Sequence, residues 1–188
     1  MSTETEIKVE IQNPEDFCAR LQALKPLLVS ARHFEDNHLF DFPDKTLLSR
    51  GCLMRIRHAG GDSVLTFKGP PKKDGIFKIR EELETGLDDG RTAHEILQRL
   101  GMREWFRYQK YRREFELDTV VVAVDETPIG NYAELEGSET AIRNLARRLD
   151  IGQSRFLRNS YYSLYLEDCR LKGRIPGEMV FNVSISEP

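Results

Sequence analysis

Eight stretches of this chain change polarity at every second residue, and in nearly all of them the polar member is ionised. A two-residue period places successive side chains on opposite faces of an extended backbone, so these stretches read as β-strands. They run over Glu4–Ile11, His38–Phe42, Cys52–His58, Ser63–Lys68, Phe77–Thr85, Phe106–Leu117, Val120–Asp125 and Tyr132–Glu136. In the first, Glu4, Glu6, Lys8 and Glu10 share one face while Ile7, Val9 and Ile11 share the other. Arg55 and Arg57 alternate with Met54 and Ile56. Lys78, Arg80, Glu82 and Glu84 alternate with Ile79 and Leu83, and Lys110 and Arg112 are in phase with Glu114 and Glu116.

Helical signals separate some of these strands. Asn13-Pro14-Glu15-Asp16 supplies an N-cap, a proline at the first helical position and two acids in the first turn, with Phe17, Leu21 and Leu24 on one face. Thr92 and Glu95 read as a capping box before Ile96, Leu97 and Leu100. A third helix follows Ser138 through Ile142, Leu145 and Leu149, and a weaker one covers Ser160 to Leu166. Turns such as Gly60-Gly61-Asp62 and Gly69-Pro70-Pro71 predict short antiparallel connections. The fold class is α+β, with one dominant antiparallel sheet and no internal linker. Residues 173–188 read as either an extra strand through Val180 and Ile185 or a loose tail.

An ionic strand face has two readings. It can be the solvated side of an open sheet, where exposed ion pairs contribute at most about 1 kcal/mol each. Alternatively, the sheet closes into a barrel with the ionic face lining a wet cavity and the apolar face lying outward under the helices. The charges are sorted into Arg-x-Arg, Lys-x-Arg and Glu-x-Glu pairs, which repel unless a multivalent ligand of opposite sign sits between them. Clustered Lys and Arg suit a chain of phosphates, and clustered carboxylates suit Mg²⁺ or Mn²⁺. Phosphate loops of the G-x-x-x-x-G-K-[ST] or G-x-G-x-x-G type, zinc helix motifs and nucleophile elbows are absent from the sequence. The four histidines are scattered and read as structural or surface residues.

Composition narrows the classes further. Of 188 residues, 28 are Lys or Arg and 31 are Asp or Glu, giving a net charge of −3, which disfavours general nucleic-acid binding. No apolar run approaches the roughly 18 residues that span a bilayer, so no membrane association and a cytoplasmic location are expected. The three cysteines, Cys18, Cys52 and Cys169, are far apart and read as reduced thiols.

The ordered motifs resemble the CYTH, or triphosphate tunnel metalloenzyme, superfamily. Glu4-Thr5-Glu6-Ile7-Lys8 is similar to its E-x-E-x-K signature, and Asn37–Leu47 to its D-x-Y-F-D region with the first Asp and the Tyr changed. Leu53-Met54-Arg55-Ile56-Arg57 resembles L-R-I-R, Thr66-Phe67-Lys68-Gly69-Pro70 resembles T-x-K-G-P, and Arg80-Glu81-Glu82-Leu83-Glu84 resembles R-x-E-x-E. Lys110-Tyr111-Arg112, Val124-Asp125, Gly130 to Glu136, and Ser160-Tyr161 with Leu164 complete the series.

This resemblance implies an eight-stranded antiparallel β-barrel forming a tunnel with a charged interior and helices outside. The tunnel domain would span 1–169, leaving 170–188 as an extension of unknown role. By similarity, Lys8, Arg55, Arg57, Lys68, Arg80, Lys110 and Arg112 clamp a triphosphate, while Glu4, Glu6, Asp125, Glu134 and Glu136 ligate Mg²⁺ or Mn²⁺. Glu82 and Glu84 rank second, as ligands or as partners of the cations. Lys8, crowded by other cations, is a candidate catalytic base with a depressed pKa, or else a plain phosphate contact. The implied activity is metal-dependent hydrolysis of tripolyphosphate, thiamine triphosphate or a nucleoside triphosphate. The alternatives are a class IV adenylyl cyclase, converting ATP to cyclic AMP and pyrophosphate, and a non-catalytic polyphosphate or nucleotide sensor. The implied partner is a small triphosphate molecule, and a homodimer is compatible with the chain.

Overall fold

The computed structural model describes residues 2–182. Its elements are β1 (Ser2–Ile11), α1 (Pro14–Gln22), β2 (Leu27–Asp41), α2 (Thr46–Ser49), β3 (Leu53–Ala59), β4 (Asp62–Lys68) and β5 (Lys78–Leu87). These are followed by α3 (Gly90–Arg99), β6 (Arg103–Leu117), β7 (Val120–Thr127), β8 (Gly130–Glu136), α4 (Glu139–Arg148) and α5 (Tyr161–Leu171).

The eight strands form one closed antiparallel barrel in the order β1-β5-β4-β3-β2-β6-β7-β8. β1 closes it by pairing on both sides, with Glu4 opposite Arg80 of β5 and Lys8 opposite Glu134 of β8. The same registers set Lys68 against Glu82 and Arg112 against Asp125. Opposite charges thus face each other across neighbouring strands, which stabilises the pairing and fixes which face each strand turns inward. Gly60 and Gly61, both at positive φ, form the tight turn between β3 and β4; a two-residue hairpin of that twist requires the conformation at both positions.

The apolar register lies outside the barrel. Ile7, Val9, Val122, Val124 and Leu135 are buried beneath Phe17 and Leu21 of α1 and Ile142 and Leu145 of α4. Phe40 and Ile56 pack under Leu97 of α3. α5 differs, because Tyr161 and Tyr165 pack against Leu39, Phe106 and Tyr108, side chains of the inward register.

Four local expectations change. β2 begins at Leu27, eleven residues before the expected His38; its N-terminal half pairs with β6 through bulges that break the simple alternation. α3 is capped by Asp89, whose Oδ1 accepts from the Arg91 and Thr92 amides, so Thr92 lies inside the first turn and there is no Thr92–Glu95 capping box. α5 continues to Leu171, beyond Leu166. After it, Met179, and not Val180, docks on β6, with its backbone bonded to Arg107 and Gln109. Ile185 lies outside the described residues.

Candidate active site

The inward register encloses a cavity of about 470 Å³. Every residue that the sequence nominated lines it, except Asp125. Among the described residues the lining carries nine Lys or Arg side chains and eight Asp or Glu side chains. That near balance decides what the cavity accepts. A polyphosphate alone would meet as many repelling as attracting charges, whereas one accompanied by divalent cations would satisfy both sets.

The carboxylates gather where β1, β5 and β8 meet. Glu4 accepts from Lys68 Nζ at 2.8 Å and from Arg80 Nε at 3.1 Å. Burial pushes its carboxyl up, and so does Glu6, but Lys68 and Arg80 outweigh them and hold it below its usual range. Glu6 accepts from Lys78 Nζ at 2.9 Å and lies 3.3 Å from Lys8 Nζ; those lysines hold it low against burial. Glu136 has less support, from Lys68 alone. Burial, and after it the Glu4 carboxylate, push its carboxyl up to about 7. Glu82 is also raised by burial and Glu4, although Lys68 stands 2.9 Å from its Oε1. This is a hard-oxygen donor set of clustered carboxylates, and its chemistry fits a hard divalent cation.

Lys8 departs from expectation. Its Nζ lies 2.9 Å from Glu134 and 3.3 Å from Glu6, and these carboxylates raise its pKa although burial alone would lower it. The depressed lysine is Lys78, lowered to about 8 by burial together with Lys8 and Arg80, despite the Glu6 contact. The charges that were expected to crowd Lys8 act one position along the wall. In the sequence Lys78 was part of the ionic alternation but carried no motif.

The arginines occupy the other arc. Arg55 donates to Thr66 Oγ1 at 3.1 Å and to Glu84 at 3.3 Å from Nη2, and to the Tyr108 hydroxyl at 3.3 Å from Nη1. Arg57 is held loosely, with its nearest carboxylate oxygens on Glu35 and Glu84 at 3.8 and 3.9 Å. An arginine without a short internal partner keeps its fork for an incoming oxyanion.

Asp125 stands behind the wall, fully buried. Its Oδ1 accepts from Arg112 Nε at 2.7 Å. Its Oδ2 accepts from Arg112 Nη2 at 2.6 Å, Lys110 Nζ at 3.0 Å and the Tyr161 hydroxyl at 2.5 Å. With four donors on two oxygens and no place on the cavity surface, it orients Arg112 and Lys110. Arg112 then passes Nη2 to Glu134 at 2.6 Å.

Several participants escaped the sequence reading. Glu35, held low by Lys110 and Arg112 against burial, and the fully buried Asn37 lie in a run of four consecutive polar residues of β2, Glu35 to His38, where both faces are polar and no alternation shows. Neither amide atom of Asn37 has a hydrogen-bond partner. Arg158 crosses to the β4–β5 connection and donates to the Lys73 and Gly75 carbonyls at 3.0 and 2.8 Å and to that of Lys72. A lone arginine in a loop gives no sequence signal.

Comparison with known proteins places this geometry. Residues 2–163 match the CYTH domain. The chain belongs to the CYTH family. A provisionally named adenylate cyclase of Methanocaldococcus jannaschii is 27% identical over 172 residues, covering 86% of this chain and 97% of that one. A conserved hypothetical protein of Pyrococcus furiosus superposes with a TM-score of 0.74 at 26% identity, over 86% of this chain and 99% of that one. A Hippeastrum protein, provisionally named an adenylyl cyclase and described as having a dominant triphosphatase activity, superposes with a TM-score of 0.63 at 18% identity, over 92% and 97% of the two chains. At that identity it supports the fold of this CYTH chain.

Proposed function

We propose that the tunnel binds a triphosphate together with Mg²⁺ or Mn²⁺ and hydrolyses its terminal phosphate. The observation that carries this reading is the single cavity in which nine cations and eight carboxylates converge. Arg55, Arg57, Lys68, Arg80, Lys110 and Arg112 grip the phosphate oxygens, with Lys8 among them as a charged contact. Glu4, Glu6, Glu134 and Glu136 are the carboxylates that would hold the divalent cation, with Glu82 and Glu84 beside them. When bound, the cation would neutralise charge on the phosphates and polarise the phosphorus under attack. The protein's own share is positioning. Asp125 keeps Arg112 and Lys110 aimed, the arginine arc gathers charge that spreads over the transferring phosphate, and rim carboxylates orient water.

A second reading, cyclisation of ATP, is favoured by the name of the Methanocaldococcus relative and by an apolar arc of the cavity. Leu48, Leu53, Pro71, Trp105 and Tyr162 line it, with the Trp105 and Tyr162 rings edge to face at 4.8 Å. These rings offer an organic group a surface beside the phosphate clamp.

One incubation separates the readings. The protein is given tripolyphosphate, thiamine triphosphate or ATP with Mg²⁺ or Mn²⁺, and products are resolved by ion-exchange chromatography. Orthophosphate with the diphosphate product is expected. Cyclic AMP with pyrophosphate would replace hydrolysis by cyclisation, and saturable binding with no product would reduce the protein to a sensor.

A further inference from the structure

Three of the four histidines, far apart in sequence, meet on the outer wall of the barrel. His38 has the register opposite to Asn37 and Leu39, so it faces away from the tunnel, under α3. His58 of β3 lies beside it with ring centroids 5.3 Å apart, and His94 of α3 covers it at 6.1 Å. The helix sits this close because residue 90 is glycine: a Cβ there would come within 2.4 Å of Ser63 Oγ and 2.7 Å of the His58 ring. Glu104, at the start of β6, completes the group. Its Oε1 lies 3.1 Å from His38 Nδ1, and its Oε2 lies 3.9 Å from His94 Nε2.

We propose that His38, His94 and Glu104 form a site for Zn²⁺ or a similar borderline divalent metal, separate from the tunnel. Their ligand atoms all lie within 4.8 Å of one another. Tetrahedral zinc with ligands at about 2.0–2.2 Å needs them roughly 3.4 Å apart, a contraction that rotation of the partly exposed Glu104 and His94 side chains supplies. His38 Nδ1 is shut off from water and faces the Glu104 carboxylate. On its other side, Asp36 Oδ1 stands 3.5 Å from Nε2, and Asp36 is itself gripped by Arg107 at 2.9 and 2.6 Å. A carboxylate behind a histidine orients the ring so that its other nitrogen can face a metal. Glu104 stands nearer to that other nitrogen than Asp36 does to Nε2, so a metal bound there displaces a proton from between Nδ1 and the carboxylate. Two imidazoles and one carboxylate select zinc, cobalt or nickel over magnesium, so this centre does not compete with the tunnel for its ion. Its ligands join β2, α3 and β6, which makes it a clip across the 90–104 segment.

The test is a Zn²⁺ titration by calorimetry in excess Mg²⁺, with Co²⁺ absorption reporting ligand geometry. Wild-type protein takes up one Zn²⁺ per chain at this centre, and Co²⁺ gives the intense bands of a four-coordinate site. Removing a ligand weakens uptake at least as much as losing a supporting residue does, so His94→Ala and Glu104→Gln each reduce affinity by about tenfold or more. Glu136→Gln, in the tunnel, leaves it unchanged. Absence of saturable uptake, as expected if the group is only a protonated histidine held by two carboxylates, overturns the proposal. So does uptake that survives both ligand substitutions or disappears with Glu136→Gln.

Discussion

Asp125→Asn distinguishes a carboxylate that ligates metal from one that builds the wall. The substitution keeps the shape and removes the charge. Whichever way the amide is turned, its NH₂ confronts a donor, because Oδ1 receives Arg112 Nε while Oδ2 receives Arg112 Nη2, Lys110 Nζ and Tyr161 OH. Asp125 is fully buried and Arg112 and Lys110 nearly so, leaving two cations without their shared counter-charge. Removing one partner of a buried ion pair costs about 3–5 kcal/mol, a large part of the roughly 5–15 kcal/mol that holds a domain folded. At about 2–4 °C per kcal/mol for a chain of this size, the melting temperature falls by about 10 °C. Tyr161→Phe, which deletes one of the four donors, costs about 1.5 kcal/mol. Urea titration and calorimetry read both numbers, and Mn²⁺ titration of the folded variant reads the other half, where affinity stays within about twofold of wild type, well under the tenfold that 1.4 kcal/mol represents. A destabilisation below about 1 kcal/mol combined with a collapse in Mn²⁺ affinity would refute the reasoning and return Asp125 to the metal.

Other substitutions probe the rest of the tunnel. Glu136→Gln removes the least supported carboxylate. Since its folded pKa of about 7 lies above the usual 4.5, the charge disfavours folding increasingly from pH 4.5 to about 7 and constantly above that. The variant should therefore melt higher than wild type at pH 8, equally at pH 4, and bind Mn²⁺ more weakly; equal melting temperatures at pH 8 would place the carboxyl in open solvent. Glu6→Gln should lose turnover and also unfold more readily, because Lys8 and Lys78 lose their shared acceptor; a wild-type urea midpoint would contradict the ion pairs. Arg57→Ala should raise KM about tenfold or more with a wild-type melting temperature, since its fork has no short internal partner; an unchanged KM would remove it from the clamp. Chelation should abolish turnover, with recovery on adding Mg²⁺ or Mn²⁺, while circular dichroism stays constant because strand pairing closes the barrel. Trp105→Ala should raise KM for ATP and spare tripolyphosphate, and equal effects on both would deny the aromatic arc a role.

The alternation of charge with apolar residues determined, without coordinates, that this chain is a sheet of eight strands with one ionic face, and the order of its motifs carried the CYTH resemblance. These features are local: a two-residue period and a paired Glu-x-Glu or Arg-x-Arg survive in any strand, whatever it packs against. The sense of that face was not local. Only closure of β1 onto both β5 and β8 made the ionic face an interior, and the same closure decided which charges neutralise each other. Lys8 was matched to Glu134, and Lys78, although bonded to Glu6, was set close to Lys8 and Arg80, while Asp125 sank beneath the side chains that line the cavity. Polar residues on both faces of β2 from Glu35 to His38 erased the alternation that would have marked Glu35 and Asn37. The meeting of His38, His58 and His94 was invisible for the same reason: residues twenty or more apart become neighbours only when strand register and helix docking are fixed together.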